Sequence, residues 1–281
     1  NKVDLGVGRF PVTTEADAKI MVDKTIDYME NAHAGAWRNV ICVLGDDGDE
    51  NDHIIKAEQL SQIVEDEHPD MQVNRIYWDA YRRESGAAGY SYPAVEADIK
   101  AQMDEGCLMM NYSGHGNPRE LSHEKVLRLA DFSSYSSPNL PLWVTAACDV
   151  SPFDMLEDNI GERAVLHAGG TAVAFLGTTR TVYSTANSWM NRYFTRQALG
   201  KDANGRRNAL GDAVRLAKVE LVTPHYCEED KIYDYHDSTD VSVNKLHYVL
   251  LGDPALKLGV PEYELVVDSI NGRAVGEGLP L

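Results

Sequence analysis

Short apolar runs alternate along the chain with segments whose apolar residues recur at helical spacing. Val40 to Leu44 is an unbroken apolar run that ends in an acidic loop, which predicts a buried strand. Helical spacing follows the start signal Thr13-Thr14-Glu15 and predicts a first helix. The helices predicted in this way cover about 14–30, 53–67, 94–105, 160–168, 186–199 and 208–221. The predicted strands cover about 40–44, 72–78, 107–112, 140–146, 171–176 and 246–251.

This alternation predicts an α/β fold with a mainly parallel sheet and helices on both faces, because strands buried on both faces are apolar throughout. In such sheets the chemistry collects in the loops beyond the carboxyl ends of the strands. The polar stretch 223–245 is predicted to be a surface loop. Residues 262–267 alternate between polar and apolar like a strand outside the α/β pattern. We therefore expect a main domain over 1–259 and a C-terminal β segment over 260–281, the start of a following domain.

The composition is that of an ordinary globular protein. With 281 residues, 43% of them hydrophobic and 25% charged, the chain can form one large domain or a domain with a small appendage. Its formal charge of −18 argues against a nucleic-acid partner, because phosphates would be repelled. Neither a membrane-length apolar run nor a basic-then-apolar signal segment is present. Because the chain starts at Asn1 rather than Met, we expect a trimmed or processed product that has lost any native signal.

The four cysteines differ in what they can do. They are widely spaced and contain no CxxC pair, which excludes a dense disulfide framework and a zinc module. Cys42 and Cys107 fall inside predicted strands, where a buried structural role is expected. Cys227 has His225 nearby but no further ligands, so we interpret it as incidental. Cys148 is left as the candidate for chemistry.

Two predicted strands end in unusual loops. His115 stands between two glycines in the segment 111–117, where backbone freedom lets an imidazole face an open cleft. Cys148 stands among small residues in the segment 145–149, at the equivalent edge. If the two strands are neighbours, the imidazole can take the thiol proton and release a thiolate that attacks a carbonyl. The residues alone leave a second interpretation open, in which Cys148 is a buried small residue and His115 belongs to a turn.

Several segments resemble the clan of cysteine peptidases that contains gingipains and caspases. Three of them carry the candidate chemistry, and two more extend the match over nearly the whole chain up to about Leu258. The segments are NYSGHG (111–116), ACDVSPFD (147–154), GTTRTVYS (177–184), GRFPV (8–12) and LLGDPALKL (250–258). Gingipain catalytic domains have a first lobe before the GRF segment, and this chain begins almost at that segment. The chain therefore resembles the second, dyad-bearing lobe, followed by the beginning of an Ig-like β segment.

The resemblance implies hydrolysis of peptide bonds by a Cys-His dyad, without a required cofactor or catalytic metal. It implies that Cys148 is the nucleophile and His115 the general base. The N–H groups of Gly116 and Cys148 would form the oxyanion hole, in which preorganised donors stabilise the tetrahedral intermediate. An acidic residue before a glycine orients the histidine in gingipains, and Asp47, before Gly48, matches that position. Here an Asp replaces the gingipain Glu, and a second acid stands beside it.

Two further positions are implied to bind substrate. Tyr183 matches a gingipain Trp that forms a wall of the pocket for the residue before the cut, although ordinary packing is an alternative. Asp52 lies near the position of the Asp with which Arg-cleaving gingipains bind that side chain, but the loop lengths differ. The acidic run 46–52 (DDGDEND) could bind calcium as a structural ion, as gingipains do, or be a solvated loop.

Within this family, the segments 8–12, 46–52 and 178–184 are most similar to sortases of the type IX secretion system. That resemblance implies an exported protein at the outer-membrane surface of a Bacteroidota-type cell. Its partners would be the C-terminal signals of secreted cargo and other secretion components, and its thioester could pass to an amine of a surface glycolipid. Two alternatives stay open: a secreted general endopeptidase of gingipain type, and a catalytically silent binding module that kept the fold.

Overall fold

The structure, a computed structural model, describes residues 3–87, 89–223, 226–227, 232–233, 239–261, 267–270 and 273–274. Six helices of this part of the chain begin and end close to the predicted positions, and two were not predicted. They are α1 (Glu15–Met29), α2 (Asp52–Glu67), α3 (Pro93–Glu105), the short α4 (Leu129–Phe132), α5 (Ile160–Leu166), α6 (Ser184–Leu199), α7 (Leu210–Leu221) and α8 (Thr239–His247). Single turns of 3-10 helix cover Ala36–Asn39 and Trp78–Ala80.

Six strands form the central sheet. They are β1 (Val40–Gly45), β2 (Gln72–Tyr77), β3 (Met109–Ser113), β4 (Leu142–Ala146), β5 (Ala174–Thr178) and β6 (Tyr248–Leu251). Their spatial order is β6-β5-β4-β3-β1-β2, and every neighbouring pair is parallel except β5 with β6. The predicted mainly parallel α/β sheet is confirmed. Two-residue or three-residue ladders lie outside it, pairing Glu84–Gly86 with Gly89–Ser91, Glu120–Leu121 with Leu127–Arg128, Tyr226–Cys227 with Ile232–Tyr233, and Ser269–Ile270 with Arg273–Ala274.

Both faces of the sheet are buried under helices. Every residue of β3, β4 and β5 is buried, which is why their sequences read as apolar runs instead of alternating. Successive residues of a strand point to opposite faces, and each face has its own apolar cluster. On one face α6 and α7 contribute Trp189, Phe194 and Ala213, and on the other α3 and α5 contribute Ile99 and Ala164.

The predicted start of α1 is produced by a reciprocal cap. The Thr14 hydroxyl accepts a hydrogen bond from the Asp17 backbone N–H at 3.1 Å, and the Asp17 carboxylate accepts one from the Thr14 N–H at 3.0 Å. These bonds satisfy backbone donors that the first helical turn leaves free. The start of α3 has a different cause, because Pro93 at its first position has no N–H to satisfy.

The structure corrects the sequence reading toward the C-terminus. A surface loop over 223–245 is wrong from Thr239 onward, where α8 begins. The strand expected over 171–176 lies at Ala174–Thr178, after a buried turn at Thr171. The strand expected over 262–267 falls mostly outside the described residues, and the Ig-like nature of 260–281 stays a prediction.

Candidate active site

The candidate residues His115 and Cys148 leave the sheet at the same edge. Strands β3 and β4 are parallel neighbours, and Ser113 pairs with Ala146 at their carboxyl ends. Each candidate follows its strand end by two residues. The two loops are also joined by a hydrogen bond from the Gly114 N–H to the Ala146 carbonyl, at 3.3 Å. The sheet therefore brings the loop of the imidazole and the loop of the thiol side by side.

Gly116 brings the two loops into direct contact. A methyl group at this position would lie 2.9 Å from the Ala147 Cβ and 2.9 Å from a Val150 methyl, and 3.2 Å from the Cys148 carbonyl oxygen. Both neighbours are buried and have little room to move away. The residue after the histidine is therefore a glycine because the chain around Cys148 packs directly against it.

Cys148 is half-buried, and its sulfur lies against the backbone of Val182. The Val182 N–H is 3.5 Å from the sulfur, and the Val182 carbonyl oxygen is 3.6 Å from it. Burial raises the pKa of the Cys148 thiol and the nearby Asp149 carboxylate raises it further, whereas the Val182 backbone contact lowers it. The net direction is upward. The thiol thus stays protonated near neutral pH and needs a base to become a nucleophile.

The end of β5 and the loop after it hold the Cys148 loop in place. The Thr178 hydroxyl donates a hydrogen bond of 2.6 Å to the Ala147 carbonyl, and the Ser151 N–H donates one of 2.8 Å to the Thr178 carbonyl. The Thr181 hydroxyl donates to the Asp149 carboxylate at 3.1 Å. Residues on both sides of Cys148 are thereby fixed to the third strand of this edge.

The backbone of His115 is anchored by a buried carboxylate. Asp46, with 1% of its surface exposed, accepts hydrogen bonds from the His115 N–H at 3.0 Å and the Gly48 N–H at 3.0 Å. The Tyr112 hydroxyl donates to the His115 carbonyl at 2.7 Å. Asp46, noted in the sequence only as an acid beside Asp47, therefore positions the loop that carries the imidazole.

The carboxylate next to the imidazole belongs to Asp49. Its oxygen lies 3.3 Å from the His115 Nε2. Asp49 begins a run of three residues in the left-handed conformation, with φ values of 52° for Asp49, 57° for Glu50 and 66° for Asn51. A Cβ on Gly48 would lie 2.8 Å from a carbon of the His115 ring, so the ring rests directly on that glycine.

The sequence assigned the orienting carboxylate to Asp47, and the geometry places that side chain elsewhere. The Asp47 carboxylate accepts a hydrogen bond of 2.6 Å from the Tyr92 hydroxyl, at the start of α3. Burial raises the pKa of Tyr92, and this hydrogen bond to Asp47 raises it further. The acid of this loop that lies beside the His115 ring is Asp49, not the predicted Asp47, and the chain between them turns left-handed after Gly48.

Two more histidines surround the His115 ring. The ring of His123 is stacked on it at 4.2 Å between centroids, and the ring of His53 meets it edge-on at 4.9 Å. His53, in the first turn of α2, is buried. Burial lowers its pKa, against an opposing effect of Asp46. Sequence reasoning missed both residues, and their only signal was a high local density of histidine and acid.

The two predicted substrate-binding residues lie close together, because Asp52 binds the side chain of the residue that follows Tyr183. The Ser184 hydroxyl, next to Tyr183, donates a hydrogen bond of 2.9 Å to the Asp52 carboxylate, which also binds Lys56. Burial raises the pKa of Asp52, but the hydrogen bonds from Lys56 and Ser184 outweigh it, so its pKa is lowered. Tyr183 has 47% of its surface exposed. Its backbone N–H donates a hydrogen bond to the side-chain amide of the buried Asn244, and its carbonyl accepts one from the same amide.

Two carboxylates of the acidic run and one from a separate loop form an arrangement with the chemistry of a calcium site. Carboxylate oxygens of Asp46, Asp47 and Glu124 lie within 4.8 Å of one another. One Glu124 oxygen is buried and has no hydrogen-bond partner within the described residues, which fits a cation. Oxygen ligands of this kind suit calcium.

Among the residues that the structure describes, we find no helix with the length and hydrophobicity needed to cross a bilayer.

Solved structures share this architecture. The Arg-specific cysteine proteinase gingipain R superposes with a TM-score of 0.68 at 16% identity, over 90% of this chain and 55% of that chain. The complex of Porphyromonas gingivalis RgpB pro- and mature domains gives 0.64 at 15% identity, over 90% and 56%. The Saccharomyces cerevisiae separase–securin complex gives 0.51 at 12% identity, over 89% and 14%. The present chain thus spans little more than half of the gingipain chain.

The mainly parallel sheet with helices on both faces defines the gingipain- and caspase-like fold class. A search of curated protein sequences finds no match. The sequence model of peptidase family C25 matches residues 1–259, and the chain belongs to that family. The predicted gingipain-like cysteine peptidase is therefore confirmed at the level of the family.

Proposed function

We propose that this chain carries the catalytic dyad of a C25 cysteine peptidase, with Cys148 as nucleophile and His115 as general base. The main support is their common edge, since both residues stand two positions beyond the paired strand ends Ser113 and Ala146. Neighbouring strands lie about 4.8 Å apart, so the loops that carry the two side chains are adjacent. The contact of Gly116 with the Cys148 loop adds to this support.

The proposed reaction begins with the protonated thiol. His115 accepts the proton of Cys148, and the thiolate attacks the carbonyl carbon of the scissile peptide bond. The backbone N–H groups of Gly116 and Cys148 stabilise the resulting oxyanion. The imidazolium of His115 then donates its proton to the leaving amine as the carbon–nitrogen bond breaks, and a thioester remains. Attack by water or by a second amine releases the acyl group and restores the thiol.

Asp49 has a supporting role in this proposal. A carboxylate 3.3 Å from the His115 Nε2 stabilises the positive charge that the ring acquires when it takes the thiol proton. It does not touch the reacting atoms, so it acts as a positioning residue. Asp47 has no such place in the proposal, because its carboxylate binds Tyr92.

Tyr183 and Asp52 are proposed to contact the residue before the cut. The exposed ring of Tyr183 offers a flat apolar wall, and its backbone is fixed by Asn244. Asp52 is already paired with Lys56, so a cationic substrate side chain would have to compete with that lysine. An Arg preference therefore receives no support from this pair.

The finer proposal is that the substrate is the C-terminal sorting signal of type IX secretion cargo. Support comes from the segments 8–12, 46–52 and 178–184, which resemble PorU, the sortase of that system. This enzyme would act with other secretion components at the outer-membrane surface. Its thioester would pass to an amine of a surface glycolipid, a step that needs only a different nucleophile.

A secreted general endopeptidase of gingipain type is the second candidate, and the solved Arg-specific cysteine proteinase that shares the fold is the model for it. A digest of an unselected protein mixture, read by mass spectrometry, separates the two. Broad cleavage supports the general endopeptidase. Cleavage confined to cargo ending in the sorting signal, with an amine adduct on the new C-terminus, supports the sortase.

The dyad itself is tested by labelling with a thiol-directed acyl warhead. We expect stoichiometric labelling of the native chain and none of Cys148→Ala. Loss of most labelling in His115→Ala, with the fold intact by circular dichroism, supports the base. A native chain that does not label is the result expected of a silent binding module, and it would overturn the proposal.

We also propose that calcium, bound by Asp46, Asp47 and Glu124, would stabilise the loop rather than take part in the chemistry. The reason is that Asp46 already holds the backbone of His115. Added calcium should raise the Tm of the native chain but not that of Glu124→Gln. An equal Tm response in both would exclude this site.

A further inference from the structure

Three side chains converge on one point beside the proposed base. The Asp49 carboxylate oxygen lies 3.3 Å from the His115 Nε2 and 3.5 Å from the His53 Nε2, and all three atoms lie within 4.8 Å of one another. Two imidazole nitrogens and one carboxylate oxygen form a donor set that suits zinc and similar transition metals. It differs from the all-oxygen set at Glu124, which suits calcium.

The separations match a metal site better than a hydrogen-bonded network. Metal bonds of about 2.0–2.1 Å in a tetrahedron place neighbouring ligand atoms about 3.3–3.4 Å apart. The two distances from Asp49 are close to that value. Hydrogen bonds would be shorter, at about 2.7–2.9 Å for a charge-assisted pair.

The two imidazole nitrogens next to Asp49 are also not satisfied by hydrogen bonds within the described residues. Within the described part of the chain, the Nε2 atoms of His53 and His115 are buried and have no hydrogen-bond partner of acceptable geometry. His53 has only 7% of its surface exposed, yet its Nε2 points toward Asp49. A buried polar atom without a partner is unfavourable, and a bound cation would satisfy both nitrogens at once.

Two separate parts of the fold hold the three ligands. His115 is anchored through its backbone to Asp46, and His53 belongs to the first turn of α2. Asp49 sits in the left-handed turn that precedes that helix. Its side chain remains exposed, which leaves an open path for an ion from solvent. The site is therefore both preorganised and accessible.

We propose that Asp49, His53 and His115 form an inhibitory site for a divalent transition metal such as Zn²⁺, with water completing the coordination. This proposal rests on the proposed role of His115 as general base. A metal takes the lone pair of a neutral imidazole nitrogen. With the metal on Nε2, the remaining ring proton resides on Nδ1, and no lone pair is left to accept the proton of Cys148. If His115 starts as imidazolium, one proton is released to solvent as the metal binds.

Direct binding is measured first, with ZnCl₂ in the Cys148→Ala variant, because that variant cannot bind metal through the thiol. Calorimetry should show one Zn²⁺ per chain, and Co²⁺ in its place should give the intense visible bands of a tetrahedral site. In the same background, His53→Phe keeps an edge-on ring but removes a ligand, and it should weaken binding by about tenfold or more.

Two further variants make the assignment specific. Asp49→Asn keeps a residue type that tolerates a positive φ and removes the charge, and it should also weaken binding. His123→Gln is the matched control, since it removes an imidazole stacked on His115 that is outside the ligand set. Binding that stays unchanged in both His53→Phe and Asp49→Asn would overturn the site. So would binding that is lost in Cys148→Ala.

The regulatory part is tested separately in the chain with Cys148 intact. Zn²⁺ should slow warhead labelling, and the half-inhibiting concentration should rise about tenfold or more in His53→Phe relative to His123→Gln. Equal sensitivity in the two variants would refute inhibition through this site. If the variants bind metal as expected but the native chain never labels, the metal site stands and the proposed peptidase activity fails.

Discussion

Replacing Gly116 by alanine should separate acyl transfer from simple thiol reactivity. The added methyl would lie 2.9 Å from both the Ala147 Cβ and a Val150 methyl, whereas carbon atoms pack at about 3.5–4.0 Å. The loop must therefore shift by about 0.6–1 Å, because both neighbours are buried. A misplacement of about 1 Å can slow catalysis about 100-fold, and overpacking destabilises a fold by about 1–3 kcal/mol.

The assay compares two reagents on the same variant. A carbonyl warhead needs the oxyanion donors, and its labelling rate should fall about 100-fold. Iodoacetamide needs only the thiolate, and its rate should change by less than about tenfold. Gly86→Ala is the control, since a methyl there meets nothing closer than 3.9 Å. If folded Gly116→Ala reacts with the warhead at a rate within about threefold of the native rate, the close contact plays no part in acyl transfer.

Three other predictions test His115 as the base, Asp49 as the carboxylate beside it, and the protonation of the buried Lys24. His115→Ala should slow acylation by about 100- to 10,000-fold with the fold intact, and native-like turnover would exclude the base. Asp49→Asn should reduce warhead labelling by less than His115→Ala but by more than Asp47→Asn, and the reverse order of the two carboxylates would restore the original assignment to Asp47. Burial lowers the pKa of Lys24 to about 7. Between that pKa and the ordinary, higher pKa of lysine, Lys24 is protonated in the unfolded chain but not in the folded chain. The free energy of unfolding should therefore rise with pH, by at most about 1.4 kcal/mol per pH unit between about pH 7 and 8.5. In thermal melts, the stability of Lys24→Met should rise less over this pH range than that of the native chain. An equal rise would show that another group causes the pH dependence.

The sheet could be predicted because its strands are buried on both faces. Val40 to Leu44 and Leu142 to Ala146 are short runs with few polar residues, and that pattern indicates a covered parallel strand. The antiparallel direction of β6 could not be predicted in the same way. An apolar run reports burial but carries no information about the direction in which a strand enters the sheet.

The two loops with His115 and Cys148 were recognisable from small residues at strand ends. The position of Asp49 was not, because three consecutive residues other than glycine adopt positive φ after Gly48. Asp and Asn tolerate positive φ, but the sequence does not say that three consecutive residues adopt it. The assigned Asp47 and the observed Asp49 are two residues apart, and the turn decides which carboxylate lies beside the ring. His53 was missed for a related reason, since helical spacing does not say which neighbouring loop a first-turn side chain will face.

The left-handed turn at Asp49, Glu50 and Asn51 implies that a gain in thermal stability there would lower the rate of catalysis. Asp and Asn tolerate this conformation, so the cost of about 1–2 kcal/mol falls mainly on Glu50, and glycine escapes that penalty. A screen for heat-resistant variants should therefore recover Glu50→Gly. The glycine would also make the loop more flexible and hold the Asp49 carboxylate less firmly. Variants that are stabilised in this way should therefore have a lower catalytic rate.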